Sequence, residues 1–191
     1  TSQEGEIRKK RLHFGLVFQS FNLFPQYTAL KNVMLAKELL AKEQPDYKQH
    51  KKEIHEEIEK EARRLLTQMG LADRMENYPH QLSGGQCQRV AIARALMQQA
   101  KVILADEPIA SLDPESARIV MDTLRDINQN DGITVVVTLH QVDYALRYCE
   151  RIVALRQGHV FYDGSSQQFD NERFDHLYRS INRVEENAKA A

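Results

Sequence analysis

Val102-Ile103-Leu104-Ala105-Asp106-Glu107 is a short apolar run that ends in two adjacent carboxylates. The run predicts a buried strand, and its polar end would place both carboxylates at the carboxyl edge of a sheet, where ligands collect in open α/β folds. Asp106 can hold Mg²⁺ there, directly or through water. Glu107 can polarise an attacking water as a general base. A plain strand followed by an acidic turn before Pro108 is the bland alternative, and such turns are common.

Strand and helix patterns alternate on both sides of this run. Predicted strands cover residues 13–19, 101–105, 133–139, 151–156 and 159–162. Predicted helices cover residues 29–42, 47–69, 88–97, 114–130 and 141–149, with a further helical tail from residue 172. The alternation predicts an α/β fold with a parallel sheet. The helical stretch between residues 24 and 78 predicts an inserted helical subdomain.

Leu82-Ser83-Gly84-Gly85-Gln86 leads into the predicted helix 88–97. The two glycines let the backbone approach a ligand closely. The start of the helix offers unpaired N–H groups and the positive end of its dipole, and the serine hydroxyl adds a donor. This combination suits a terminal phosphate group. A turn that only caps a helix explains the same residues.

Two further polar sites follow other predicted strands. Ser111-Leu112-Asp113 comes soon after the paired carboxylates, and Asp113 can both cap the helix 114–130 and contact a ligand. His140 follows the strand 133–139, where it can donate a hydrogen bond to a γ-phosphate. The bland alternative is one surface histidine among seven, and the seven show no metal-ligand spacing.

The composition predicts a soluble globular protein. The chain has 191 residues, of which 42% are hydrophobic and 28% charged, and its net charge of −1 gives no reason to expect nucleic acid as a partner. Its two cysteines favour a reducing compartment. No stretch approaches the roughly 18 apolar residues of a membrane span. The polar first residues predict no signal peptide, and the start at Thr1 suggests a processed or truncated product.

In this order and at this spacing, the segments resemble the motifs of ABC importer ATP-binding subunits. Residues 82–86 resemble the signature motif, and residues 102–107 resemble Walker B with its catalytic glutamate. Residues 111–113 resemble the D-loop, and His140 resembles the switch histidine. Gln19, within Val17-Phe18-Gln19-Ser20-Phe21-Asn22-Leu23-Phe24-Pro25, resembles the Q-loop glutamine that senses Mg²⁺ and the membrane partner.

The resemblance implies a truncated P-loop NTPase-like parallel sheet with an inserted helical subdomain. Residues 1–23 and 99–170 would form the ATPase core, residues 24–98 the helical signature subdomain, and residues 171–191 a helical tail. It also implies ATP and Mg²⁺ as cofactors. The catalytic residues would be Glu107, His140 and Gln19, the Mg²⁺ ligands Asp106 and Gln19, and the ATP-binding residues Ser83, Gly84, Gly85, Gln86 and Asp113.

The partners implied by the resemblance are transmembrane permease subunits and a second ATPase subunit, either an identical copy or a different one. Two such subunits pair head to tail, so that the signature motif of one faces the ATP of the other. The permease would dock near residues 21–25, although a core role for Phe18 and Phe24 is an equal alternative. The implied location is cytoplasmic, on the inner face of the cell membrane.

The chain departs from the family pattern at its phosphate-binding loop. None of its eight glycines precedes Lys-Ser or Lys-Thr, so the Walker A run is absent, as is the aromatic residue that stacks on adenine. Each hydrogen bond to a charged phosphate is worth roughly 1.5–3 kcal/mol, so the chain alone is expected not to bind ATP tightly. The signature half-site could still serve the ATP of an intact partner.

Three alternatives stay open at this point. Residues from about 87 to 191 resemble the phosphonate importer subunit, whereas residues 1 to about 86 resemble polar amino-acid importer ATPases, which predicts a natural or constructed hybrid. The chain could instead be an inert fragment without catalytic activity. A soluble ABC ATPase of DNA repair or chromosome maintenance is disfavoured, because no heptad array separates Gln19 from Ser83.

Overall fold

The computed structural model describes residues 6–7 and 10–169, which fall into two compact units covering residues 1–140 and 141–191. The predicted tail over residues 171–191 lies outside the described residues. Within the part of the chain that is described, no helix combines the length and apolar character needed to cross a membrane.

The first unit combines a three-stranded sheet with several helices, and residues 6–7 and 10–11 are helical as well. In chain order its elements are β1 (Phe14–Phe18), α1 (Ala29–Ala41), α2 (Tyr47–Gln68), a 3₁₀ turn (Pro79–Gln81), α3 (Gly84–Met97), β2 (Val102–Asp106), α4 (Pro114–Asp131) and β3 (Thr134–Thr138). The strands are parallel in the order β1-β2-β3. The predicted parallel α/β arrangement is therefore confirmed.

The register of the sheet places three residues side by side at its carboxyl end. Phe18 pairs with Asp106, and Asp106 pairs with Thr138. The segments that follow β1, β2 and β3 therefore leave the sheet at one edge. This edge brings the predicted residues Gln19, Glu107 and His140 into the same region.

The two faces of the sheet are packed differently. On one face Val17, Ile103 and Ala105 are buried, and Gly15 lies so close to α3 that an added Cβ would stand 2.6 Å from the Ala95 Cβ. The opposite face presents side chains that are between 36% and 53% exposed, namely Phe14, Leu16, Leu104 and Val136. The core of this unit therefore lies between the sheet and its helices on one side.

Helices α1, α2 and α3 pack against one another. One face of α2 is apolar and packs inward, because Ile58, Ala62, Leu65, Leu66 and the following Met69 are all buried and Ile54 is half-buried. Gly70 has a φ of +70°, which suits a glycine that ends a helix. Helix α2 is irregular at His50, where φ is −115° and ψ is 17°.

Two element bounds differ by more than two residues from the sequence prediction, each for a physical reason. Helix α3 begins at Gly84 and not at residue 88, because Ser83 and Gln86 form a reciprocal capping box that makes the glycine pair helical. The strand predicted over residues 159–162 continues to Ser165, because Ser165 still pairs with Arg151.

The second unit contains α5 (Val142–Tyr148), the antiparallel strands β4 (Arg151–Arg156) and β5 (His159–Ser165), and a 3₁₀ turn (Ser166–Gln168). The strands are joined by a turn at Gln157 and Gly158, which have φ values of +50° and +78°. Two positive φ angles are typical of the tight turns that join twisted strands. Arg151 also binds Asp163 across the hairpin through two hydrogen bonds of 2.8 Å.

Candidate functional site

One hydroxyl group, that of Thr138, bonds both residues at the end of β2. Thr138 Oγ1 donates to Asp106 Oδ1 at 2.7 Å and accepts from the main-chain N–H of Glu107 at 2.9 Å. Glu107 has a φ of +46°, a left-handed conformation that is unfavourable for a residue with a Cβ. The hydroxyl of Thr138 therefore orients the Asp106 carboxylate and also stabilises the turn that presents Glu107.

Glu107 and His140 form a close pair at this edge. His140 Nε2 lies 2.6 Å from Glu107 Oε1, and the His140 side chain is 78% exposed. A carboxylate that contacts an imidazole can accept a proton from water, so this pair suits general-base chemistry. The structure thus brings together two residues that sequence reasoning placed in one reaction.

A cavity of about 410 Å³ adjoins the carboxylates. It is lined by residues from the end of β1, the end of β2 and the loop before α4, namely Phe18, Gln19, Ser20, Phe21, Asp106 and Ser111. Gln19 and Asp106, the two predicted Mg²⁺ ligands, therefore face the same space. Among the described residues, no group of three or more His, Cys, Asp or Glu side chains is arranged to hold a metal ion.

The oxygen donors around this cavity fit Mg²⁺ better than a metal that needs nitrogen or sulfur ligands. Asp106 supplies a carboxylate, Gln19 an amide oxygen, and Ser111 a hydroxyl. Mg²⁺ is usually held by one or two carboxylates together with water and phosphate oxygens. The small number of protein donors is therefore suited to a metal that arrives with a phosphate ligand.

Ser83 and Gln86 cap the N-terminus of helix α3. The Ser83 hydroxyl oxygen accepts from the Gln86 N–H at 3.2 Å, and Gln86 Oε1 accepts from the Ser83 N–H at 2.9 Å. These residues therefore do cap the helix, as the alternative interpretation of the sequence required. Capping leaves the Ser83 O–H proton and the Gln86 amide N–H groups free to donate to a ligand.

The two glycines of this segment have neighbours within their own chain. A Cβ on Gly84 would lie 2.9 Å from Leu112 Cδ2, and one on Gly85 would lie 2.8 Å from Ser116 Cβ. Close packing against the start of α4 is therefore a second reason for glycine here, beside the approach to a ligand that the sequence suggested.

Asp113 caps helix α4, as predicted. Its Oδ1 accepts from the Ser116 N–H at 2.9 Å, and hydrogen bonding from Ser116 holds the pKa of the Asp113 carboxyl below its ordinary value. Because Ser116 also lies against Gly85, Asp113 is positioned beside the start of α3. Its predicted contact with a nucleotide stays a prediction.

The predicted site residues thus form two groups in the first unit. Gln19, Asp106, Glu107 and His140 lie at the carboxyl edge of the sheet, and Ser83, Gly84, Gly85 and Gln86 lie at the start of α3. Their roles in catalysis and binding remain predictions.

Sequence reasoning missed Thr138, Gln88 and Arg94, which hold these groups in place. Gln88 had a detectable signal, because it is polar yet lies on the same helix face as the apolar residues Ala91, Ile92 and Ala95.

The chain is similar to known protein sequences along most of its length. The sequence pattern described as ABC transporter matches residues 1–110. The phosphonates import ATP-binding protein PhnC of Escherichia coli (strain K12) is 69% identical over 186 residues, which are 97% of this chain and 70% of that protein. The protein of the same name from Shigella boydii serotype 4 (strain Sb227) has the same identity and coverage.

Solved structures of ABC proteins are also similar to this chain. The dimeric post-hydrolysis state of the ATP-binding cassette MJ0796, bound to ADP and Pi, is 40% identical with a TM-score of 0.69, over 85% of this chain and 67% of that one. The protein cbiO1 of Clostridium perfringens, part of the ABC transporter complex cbiONQ, is 27% identical with a TM-score of 0.74, over 95% of this chain and 70% of that one. The predicted P-loop NTPase-like fold class is confirmed.

The match to the phosphonate import protein extends over both sides of the predicted join near Gln86. One relative therefore aligns with both halves of the chain. The hybrid origin stays a prediction.

Proposed function

Because this chain belongs to the ABC transporter family, as an importer ATP-binding subunit, we propose that it serves phosphonate uptake driven by ATP hydrolysis. The relatives that are 69% identical carry that solute in their names. The observation that carries the catalytic part is the contact of 2.6 Å between Glu107 and His140, next to Asp106 at the carboxyl edge of the sheet.

We assign the following roles at this edge. Glu107 takes a proton from the attacking water, and His140 holds the Glu107 carboxylate in place while its exposed ring faces the phosphate. Asp106 and Gln19 would hold Mg²⁺, which supplies positive charge to the phosphate oxygens when it is bound. Thr138 fixes the Asp106 carboxylate and the main chain of Glu107 relative to β3.

The start of helix α3 would serve the ATP of a second subunit. Ser83 is exposed, and its hydroxyl proton is not used in the capping box. Its donor and the helix N-terminus together suit a γ-phosphate. The proposed partners are a second ATP-binding subunit, identical or related, and transmembrane permease subunits. The proposed location is the cytoplasmic face of the membrane, reached through the permease.

The proposal is tested by nucleotide retention with Mg²⁺. These 191 residues contain no Gly-Lys-Ser or Gly-Lys-Thr run, so the chain alone is expected to retain no ATP at micromolar concentration. Mixed with the intact phosphonates import protein of E. coli, made catalytically slow, it is expected to form a complex that retains ATP. Retention by the chain alone would reveal a phosphate site outside this proposal, and no retention in the mixture would contradict the half-site.

A matched pair of variants separates phosphate contact from helix capping. Ser83→Asp keeps an N-cap acceptor but brings a negative charge to the phosphate, so it is expected to reduce retention in the mixture by about tenfold or more. Ser165→Asp is the control, because Ser165 also caps a helical turn, accepting from the Gln167 N–H at 3.3 Å, but lies in the second unit. Equal effects of the two variants would argue against the assigned role of Ser83.

The permease assignment gives a second test. Phe24 is 43% exposed in the segment 21–25, so Phe24→Asp is expected to weaken copurification with a phosphonate permease by about tenfold. Leu39→Asp is the control, since Leu39 is 50% exposed on α1 outside this segment. Preferential copurification with a polar amino-acid permease would overturn the phosphonate assignment and favour the predicted hybrid.

A further inference from the structure

Gln88 is a polar side chain placed entirely inside the core, at 0% exposure. Its Nε2 donates to the main-chain oxygen of Phe18 at 3.0 Å and to that of Pro108 at 2.7 Å. Both facing atoms are acceptors, so only the nitrogen side of the amide can point at them. The buried Oε1 has no hydrogen-bond partner within the described residues. The amide is therefore held by its donors alone.

The two carbonyls held by Gln88 flank the proposed catalytic residues. Phe18 directly precedes Gln19, and its oxygen also accepts from the Phe21 N–H at 3.1 Å, which closes the turn that carries Gln19. Pro108 directly follows Glu107, in a turn closed by the Ala110 N–H and the Glu107 oxygen at 3.2 Å. One amide group thus joins the two segments and attaches both to α3.

A second residue of α3 holds the far end of the Gln19 segment. Arg94 donates to the Asn22 oxygen at 2.7 Å and to the Phe21 oxygen at 3.4 Å. Phe21 and Asn22 have φ values of +62° and +48°, which are unfavourable for residues other than glycine. The segment therefore keeps this conformation through its bonds to α3, with Gln88 before Gln19 and Arg94 after it.

A role in filling space does not account for Gln88. A methionine would occupy nearly the same volume without burying an amide whose oxygen lacks a donor, and an unsatisfied buried polar atom is costly. The position carries glutamine despite that cost, and what the amide adds is the pair of bonds to Phe18 and Pro108.

We infer that Gln88 is a positioning residue, which sets the separation of the segments carrying Gln19 and Glu107 and ties both to the helix that begins at Ser83. A shift of α3, caused by a ligand at its N-terminus, would then move both segments together. The meaning for catalysis rests on the proposed function, whereas the bonds themselves do not depend on it.

Amide hydrogen exchange of the 191-residue chain tests this inference without nucleotide. In Gln88→Met, exchange of the Phe21 and Ala110 N–H groups is expected to accelerate about tenfold or more relative to the core amide of Val90. Gln98→Met is the matched control, because Gln98 Nε2 donates to the Phe14 oxygen at 2.8 Å, at the opposite end of β1. That variant is expected to leave both reporter amides unchanged.

A second variant supplies a pH signature that packing alone would not give. In Gln88→Glu the protonated carboxyl has one O–H donor, and the carboxylate has none. The reporter amides, corrected for intrinsic exchange, are therefore expected to approach their parent rates at low pH and to exchange faster as pH rises. Gln88→Met should lack this pH dependence.

Three results would overturn the inference. These are unchanged reporter amides in Gln88→Met, equal acceleration in Gln98→Met, and a global loss of protection in both Gln88 variants, which would assign Gln88 to core stability. The exchange experiment contains no nucleotide, so failure of the mixing experiment would not affect the positioning role of Gln88. Failure of the exchange experiment would remove that role without affecting the proposed function.

Discussion

Replacing Gly15 with valine is expected to lower the free energy of unfolding of the first unit by about 3 kcal/mol, near the upper end for overpacked cores. A Cβ at position 15 would lie 2.6 Å from the Ala95 Cβ and 3.1 Å from the Ala100 Cβ. Neither methyl can rotate away, so β1 and α3 would have to separate. Urea denaturation followed by circular dichroism measures the loss.

A double-mutant cycle identifies the contact responsible. Gly15→Ala moves a methyl group into the interface, and Ala95→Gly removes the methyl group that it meets. The loss of stability in the double variant is expected to be smaller than the sum of the losses in the two single variants, although glycine within α3 costs up to about 1 kcal/mol. Strict additivity of the two changes would show that the strand and helix do not meet through these atoms.

Asn32→Leu is expected to destabilise the first unit by about 2–4 kcal/mol, because it strips several part-buried main-chain groups of their partners. Asn32 is fully buried. Its Oδ1 accepts from the Phe24 N–H at 2.8 Å, and its Nδ2 lies within 3.1 Å of the oxygens of Phe24, Tyr27 and Thr28. The shift in the urea midpoint reports the loss.

The matched control for Asn32 is Asn128→Leu. Asn128 makes a single exposed bond, from Nδ2 to the Ile133 oxygen at 2.9 Å, so its loss is expected to cost less than about 1 kcal/mol. Similar urea midpoints for the two variants would contradict the stabilising role assigned to the hydrogen bonds of Asn32. Because Asn32 shapes the turn that bears Phe24, a milder Asn32 variant should also weaken permease binding.

The elements of the fold were predictable because their signals are local. The apolar runs that became β1, β2 and β3 and the apolar face of α2 depend on residues close together in the chain. The start of α3 was placed too late, since two adjacent glycines indicate a loop by propensity alone. The reciprocal bonds of Ser83 and Gln86 outweigh that propensity.

The candidate site was predictable only where a side chain carries its own chemistry. Asp106, Glu107 and His140 stand out because carboxylates and imidazoles follow apolar strands. Thr138 and Gln88 act through partners far away in the chain, 31 or 32 residues for Thr138 and 20 or 70 for Gln88. Periodicity and motif spacing contain no information on such pairs, so only the folded structure reveals them.

The hydrogen bonds that Gln88 and Arg94 of α3 make to neighbouring segments have a consequence for recombination between relatives. Among the described residues, Gln88 and Arg94 donate to the main-chain oxygens of Phe18, Phe21, Asn22 and Pro108, and every amino acid supplies such an oxygen. These bonds therefore do not depend on which side chains the held segments carry. A gene exchange that replaced residues 18–22 with those of another family member would leave the bonds available, so sequence changes in this segment, part of which we propose to face the permease, are compatible with the same attachment to α3.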